Sequence, residues 1–348
     1  MKPIKVLLVE DSIVQLACLQ RLFNADPSLQ LIATAQNGLE ALSILETMTP
    51  DVIVMDLHMP KMDGVNAIKQ IMQTKPLPII AVSASGSKDM IVNSFNALHA
   101  GAVAFTEKPI GCDPQYAVLS ARLIQLVKLM AEVKVVKRRP DEPPRKIVKQ
   151  TPAERMVHLA TKDIQVIAMG VSTGGPIILE KIFTPLGKDF PPILVVQHIA
   201  PGFIQGFCDW LGQISKKPVL LATDYQPIER GHIYLAPDYH QMGLTADKRI
   251  RLTPNTTSAL ICPSVSHLFH SVAVVMKNKA MGVLLTGMGS DGAMELKFMK
   301  ELGAITIAQD EASSLVFGMA RQAITLDAAM HVLNPEEITC VIHEVSTR

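Results

Sequence analysis

Short apolar runs that end abruptly at a polar residue or a glycine turn constrain this chain more than any other feature. Residues 4–9 form the first such run and end at Glu10-Asp11-Ser12. Leu29 to Thr34 is a second, and Asp51 to Met55 is a third that ends at Asp56. Pro78 to Val82 ends at Ser83, and Ala102 to Phe105 leads into Thr106-Glu107-Lys108-Pro109. Helical spacing fills gaps between them, from Val14 to Phe23 and from Gly38 to Met48. This alternation predicts parallel strands with helices on both faces of the sheet. Sites in such sheets lie at the carboxyl ends of the strands.

Glu10, Asp11 and Asp56 gather carboxylates at that edge. Like charges so close repel and raise one another's pKa. A hard divalent cation removes the conflict, and Mg²⁺ suits carboxylates that leave room for water. Ser83 and Lys108 add a hydroxyl and an ammonium at the same point. The set suits transfer of a phosphoryl group onto a carboxylate. The plainer alternative is that acidic residues after strands only cap helices.

Residues 3–130 closely resemble response-regulator receiver domains. The resemblance runs through Val9-Glu10-Asp11-Ser12, Asp56-Leu57-His58-Met59-Pro60, Met62-Asp63-Gly64, Ser83-Ala84 and Lys108-Pro109. It implies a flavodoxin-like five-stranded parallel sheet. It implies phosphorylation of Asp56 by a sensor histidine kinase. Mg²⁺ would be held by Glu10, Asp11, Asp56 and the backbone carbonyl of His58. Ser83 and Phe105, with Lys108, would be the switch that answers the phosphate. Many receivers carry Asp at the position of Glu10, a change that keeps the charge.

Gly111 to Val133 carries an apolar stripe and reads as the last helix of this unit. Charged residues and prolines without apolar period follow, and mark a linker. The division expected is 1–133 receiver, 134–160 linker and 161–348 catalytic. The basic cluster of the linker reads as a solvated tether; contact with an acidic partner or anionic lipid head groups is the alternative. A net charge of +1 gives no footprint for nucleic acid as the main partner. No apolar run is long enough to span a bilayer, and the start lacks a signal-peptide plan. The cysteines at 18, 112, 208, 262 and 340 are scattered, which fits free thiols in a reducing cytoplasm, with Cys208 and Cys262 as packing residues.

The second half turns on Gly170-Val171-Ser172-Thr173-Gly174-Gly175-Pro176. An apolar run, Ile164 to Met169, precedes it, and helical spacing follows from Ile177 to Phe183. The stretch fits G-x-S-x-G, a strained turn that exposes a nucleophilic serine, with helix N–H groups behind it for an oxyanion. A phosphate-binding loop or a plain tight turn fits the same residues. Ile193 to Val196 leads to Gln197-His198, and Met281 to Thr286 leads to Gly287-Met288-Gly289-Ser290-Asp291-Gly292. Ser172, His198 and Asp291 are thus placed alike, in loops above one parallel sheet, and can converge as the nucleophile, base and carboxylate that acyl transfer needs if their strands are neighbours. Two rivals draw on the same residues. The spacing Gly287, Gly289, Gly292 with Asp310 matches a dinucleotide fingerprint, but Asp291 inside that loop would repel a pyrophosphate. An ordinary α/β-hydrolase order would use His331 or His343 with Asp310 or Asp327. His267-x-x-His270 has a spacing a metal could use but no further ligand partner.

Residues 163–345 resemble the catalytic domain of the chemotaxis protein-glutamate methylesterase (CheB) family. The carrying stretches are Gly170 to Pro176, Val195 to His198, Tyr234 to Pro237 with His240, Pro263 to Val265 with Leu268-Phe269, Leu285 to Gly289 with Asp291-Gly292, and Gln309 to Ala312 with Val316 to Met319. The resemblance implies a doubly wound three-layer α/β sandwich. It implies Ser172, His198 and Asp291 as triad, the Met288 backbone N–H as oxyanion donor, and no cofactor in the esterase unit. The substrate would be glutamyl methyl esters, and glutamines by deamidation, on the cytoplasmic helices of chemoreceptors. Phosphorylation of the receiver would activate the esterase. A phosphorylation-dependent binding module and another serine acyl hydrolase are the alternatives. Four positions depart from the family pattern: Ala320, Glu295 and the pair Ile261-Cys262. None is a triad residue; Glu295 and Ile261 bear on the substrate-facing surface.

Overall fold

The first apolar run becomes strand β1, Ile4–Val9, and residues 6–9 of it have no exposed surface. The computed structural model describes residues 2–83, 88–111, 115–133, 163–255 and 261–346. The chain divides into two compact units, Met1–Lys146 and Ile147–Arg348. The linker expected at 134–160, with its basic cluster, and Cys112 lie outside the described residues.

In the first unit β1 is followed by α1 (Ile13–Asn24), β2 (Leu29–Ala35), α2 (Gly38–Thr47), β3 (Val52–Asp56) and α3 (Gly64–Thr74). Then come β4 (Ile79–Ser83), α4 (Lys88–Ala100), β5 (Ala104–Glu107) and α5 (Tyr116–Met130). The five strands pair in parallel in the order β2-β1-β3-β4-β5. Helix starts are fixed by side chains that accept the otherwise unpaired first N–H groups. Asn37 accepts from the Glu40 N–H at 3.1 Å, and Glu40 accepts in return from the Gln36 N–H at 2.9 Å. Asp63 does the same for Asn66 at 2.8 Å.

Strands β3 and β4 end one residue later than the apolar runs do, because Asp56 and Ser83 still take a rung of the ladder. Helix α5 is shorter at both ends than the expected 111–133.

The second unit contains β6 (Val166–Val171), α6 (Gly175–Phe183), β7 (Ile193–Gln197), α7 (Ile204–Ser215), β8 (Val219–Leu221) and β9 (Ile233–Leu235). An antiparallel ribbon follows, β10 (His240–Leu244) with β11 (Ile250–Pro254). The chain continues through α8 (Val265–Met276), β12 (Ala280–Leu284), α9 (Ala293–Glu301), β13 (Ile305–Gln309), α10 (Met319–Thr325), β14 (His331–Leu333) and α11 (Pro335–Ser346). Its other seven described strands form one parallel sheet, ordered β14-β13-β12-β6-β7-β9-β8.

From β6 the chain passes to β7, then to the edge strand β8 and back to β9 between them, and later lays β12, β13 and β14 on the other side. Right-handed crossovers built in opposite directions put their helices on opposite faces, which yields the three layers. One face is an apolar cluster in which Val166, Ala168, Leu194 and Val196 meet Val265, Leu268, Val272, Leu296 and Met319. The strand order reverses between β6 and β12, and a crevice forms at the carboxyl ends where it does. The ribbon and the three-residue strands β8, β9 and β14 were not among the expected elements.

Candidate functional sites

The crevice between β6 and β12 receives the chemistry-bearing loops of the second unit. Val171 and Gln197 are register partners, so Ser172 and His198, each one residue further, stand side by side. The backbone fixes both: the His198 N–H donates to the Val171 carbonyl at 2.9 Å, and the Ser172 N–H to the Thr286 carbonyl at 3.0 Å. On the other side of β6, the Gly287 backbone presses against the serine, and a Cβ there would stand 2.6 Å from the Ser172 Cβ. Met288, next in that loop, is half exposed at 46 %.

Asp291 meets His198 across this crevice, with its Oδ2 3.0 Å from the imidazole Nε2. The angle falls short of hydrogen-bond alignment. Catalytic contacts of this kind commonly tighten as substrate binds. No hydrogen bond joins the Ser172 Oγ to the ring among the described residues. The carboxylate sits at the start of α8, where it accepts from the Val265 N–H at 2.7 Å, the Ser266 N–H at 3.0 Å and the Ser264 hydroxyl at 2.9 Å. Burial pushes the Asp291 carboxyl up, but the facing imidazole and the helix-end donors outweigh it and hold the group well below the ordinary carboxylate range. Asp291 therefore stays ionised, as an acid that orients an imidazole must.

Glycines let these parts meet. Val265 wedges between two of them: a Cβ at Gly170 would stand 2.1 Å from its Cγ1, and one at Gly292 would stand 2.3 Å away. The residue types of Gly170 and Gly292 thus set the seat of α8 and the position of its N–H groups. Glu295 accepts from the Ser266 hydroxyl at 2.6 Å, and that hydroxyl accepts from the Gly292 N–H at 2.9 Å. Ile261 is exposed and Ala320 fully buried.

The rival readings fare differently. The Gly287 and Gly292 N–H groups are engaged by Val316 and Ser266, and Asp291 faces His198 rather than a phosphate cradle. Asp310 accepts from Ser313. His331 opens edge strand β14 at its amino end, and the His343 ring faces the Pro185 carbonyl at 3.2 Å. His270 stacks on Phe298 at 5.1 Å. Burial pushes the Cys208 thiol up to about 11, which leaves it inert at neutral pH. Ser264, Ser266 and Thr286 had no assigned role in the sequence. Serine immediately before the apolar helix is an N-cap signal that marks Ser264 as the helix start but not its bond to Asp291, and Ser266 lies inside the helix.

In the first unit, the Lys108 ammonium lies 2.7 Å from Glu10 Oε2 and 2.9 Å from Asp56 Oδ2. Burial pushes the Glu10 carboxyl up, and Lys108 offsets only part of that. Burial pulls Lys108 down, yet Asp56 and Glu10 outweigh it and hold the ammonium above its ordinary value. Glu10, Asp11 and Asp56 can each offer an oxygen within 4.8 Å of the others. Hard oxygen donors with one exposed member fit Mg²⁺ with remaining waters. The His58 N–H approaches Asp56 Oδ1 at 3.3 Å, so the backbone that carries its carbonyl borders the same point. The Lys108 N–H donates to the Ser83 carbonyl at 2.8 Å, and Phe105 packs edge-on against Phe95 at 5.2 Å.

Fold and sites together define a receiver unit joined to an α/β unit with a hydrolase-type crevice. Residues 167–342 match the CheB methylesterase family, and residues 6–118 match the response regulator receiver domain. The protein-glutamate methylesterase/protein-glutamine glutaminase 1 of Syntrophus aciditrophicus (strain SB) is 44 % identical over 340 residues, which is 97 % of this chain and 97 % of that protein. Protein-glutamate methylesterase/protein-glutamine glutaminase 4 of Geobacter metallireducens is 42 % identical over 342 residues, 97 % of this chain and 98 % of that one. The crystal structure of the Thermotoga maritima CheB methylesterase catalytic domain is 33 % identical, with a TM-score of 0.49, and covers 51 % of this chain and 99 % of that chain. The chain belongs to the CheB methylesterase family, with an N-terminal response regulator receiver domain. No helix among the described residues is long and apolar enough to cross a membrane.

Proposed function

We propose that Ser172, His198 and Asp291 carry out the family reaction, hydrolysis of glutamyl methyl esters on the cytoplasmic helices of chemoreceptors, under control of a phosphoryl group on Asp56. The observation that carries this reading is the 3.0 Å approach of Asp291 to His198 beside the Ser172 turn. With the ring proton on Nε2, towards Asp291, the basic nitrogen of His198 is Nδ1. Ser172 Oγ attacks the ester carbonyl while Nδ1 takes its proton, and the Met288 N–H faces the oxyanion. The proton passes to the departing methoxide, and methanol leaves. Water, deprotonated at the same nitrogen, then cleaves the acyl-enzyme and restores the glutamate. The same site would deamidate receptor glutamines, with ammonia as leaving group.

In the receiver unit Asp56 would accept the phosphoryl group from a sensor histidine kinase. Glu10, Asp11, Asp56 and the His58 carbonyl would hold Mg²⁺. That ion, when bound, neutralises charge on the carboxylates and the incoming phosphoryl oxygens. Lys108 pairs with the carboxylates, and Ser83 with Phe105 would register the phosphate. The units are taken as 1–133 and 161–348 with 134–160 between them, and the protein works in the cytoplasm. The test is methanol release from methylated receptor by the full chain. Ser172→Ala abolishes it with the fold intact, and His198→Ala is comparably severe because a triad acts as a unit. Wild-type rates in Ser172→Ala would remove that residue from the reaction.

A further inference from the structure

Beneath the nucleophile turn lies a polar side chain that the triad does not use. Gln197, the last residue of β7, is only 3 % exposed. Its Nε2 donates to the Ser172 carbonyl and to the His198 carbonyl, each at 2.9 Å. Both hydrogens of one amide thus go to the peptides of nucleophile and base. Its Oε1 is buried with no hydrogen-bond partner. That oxygen lies against Gly175, where a Cβ would stand 2.2 Å from it. Turning the amide over would set Oε1 against both carbonyl oxygens, so the surrounding acceptors fix its orientation. A buried acceptor left unpaired is a cost that an apolar side chain of similar volume would avoid. A departure of this kind from a well-satisfied interior marks a functional demand.

We infer that Gln197 is a positioning residue that holds the Ser172 turn in register with His198, an inference that rests on the triad reading. The opposite side of the turn has its own anchor. Thr286 accepts the Ser172 N–H at 3.0 Å, and its hydroxyl donates to the Thr173 carbonyl at 2.9 Å. Without the Gln197 amide the turn keeps its bonds to Thr286 and the backbone bond from His198 to Val171, but the Ser172 carbonyl loses its side-chain tie to β7. What loosens is the relation of nucleophile to base, so kcat suffers while substrate binding does not.

The test compares Gln197→Met, Gln197→Glu and Ser172→Ala in the full chain, with methanol release from methylated receptor as readout. Methionine keeps the volume and removes both donors. It lowers kcat about ten- to a hundredfold, as small misplacements of reacting groups do, and leaves KM near wild type. Glutamate keeps the shape; as a carboxylate it donates nothing, and protonated it donates one hydrogen bond. The rate of Gln197→Glu relative to Gln197→Met therefore rises as pH falls. Wild-type kcat in Gln197→Met, or a ratio flat with pH, overturns the clamp while a dead Ser172→Ala keeps the triad. Full activity in Ser172→Ala overturns both. If Gln197→Met does not fold, the isosteric glutamate decides on its own pH profile against wild type.

Discussion

Asp291 does two things at once: it faces the imidazole and it caps α8. Its carboxyl is held below the ordinary value, so the native state binds that proton more weakly than the unfolded chain does. The stabilisation is then fully present above the ordinary value of 3.8 and is lost as pH falls further. Asp291→Asn leaves donors at the helix start poorly paired and lowers stability at neutral pH by about 1–3 kcal/mol. Thermal midpoints of the full chain at descending pH check this: the gap between wild type and variant narrows in acid. A constant gap would contradict it. That Ser172, His198 and Asp291 would gather at one crevice was legible in the sequence because each follows an apolar run. Gln197 and Ser264 were not, because their roles depend on which carbonyl or carboxylate the fold brings near. Ser264 meets Asp291 across 27 residues of chain and Gln197 meets Ser172 across 25.

At the level of elements, the parallel order of both sheets followed from the βα alternation, and the ends of β3 and β4 shifted because polar residues still pair there. The ribbon β10–β11 was illegible for a physical reason. Gly243 and His240 break its apolar alternation, and it packs through Met242, Leu244 and Ile250 onto a cluster formed by distant helices. The seat of α8 on β6 is a further element-scale relation, readable only in three dimensions. Gly170→Ala drives a Cβ into Val265, whose side chain is fully buried and short. Overpacking of this kind costs about 1–3 kcal/mol. Val265→Ala removes both atoms of the clash, so the penalty of Gly170→Ala shrinks in that background, a non-additivity of neighbouring sites. Denaturation midpoints of the two single variants and the double variant measure it. Additive losses would place the strain elsewhere.

For the whole molecule, two units on one chain meet at an effective concentration set by the residues between them. That makes weak coupling between phosphoryl group and ester hydrolysis sufficient: a tenfold change in rate corresponds to about 1.4 kcal/mol. The coupling was legible as an expectation because both families of motif occur in one sequence, receiver first. The geometry that transmits it was not, since no single run of residues encodes it. The central claim is that a phosphoryl group on Asp56 controls hydrolysis at Ser172. It is tested by methanol release from methylated receptor by the full chain in Mg²⁺, before and after addition of a small-molecule phosphodonor, with Asp56→Asn alongside. The account predicts a several-fold rise for wild type and none for Asp56→Asn, whose basal rate is retained. Equal rates with and without phosphodonor, or the same rise in Asp56→Asn, would contradict it.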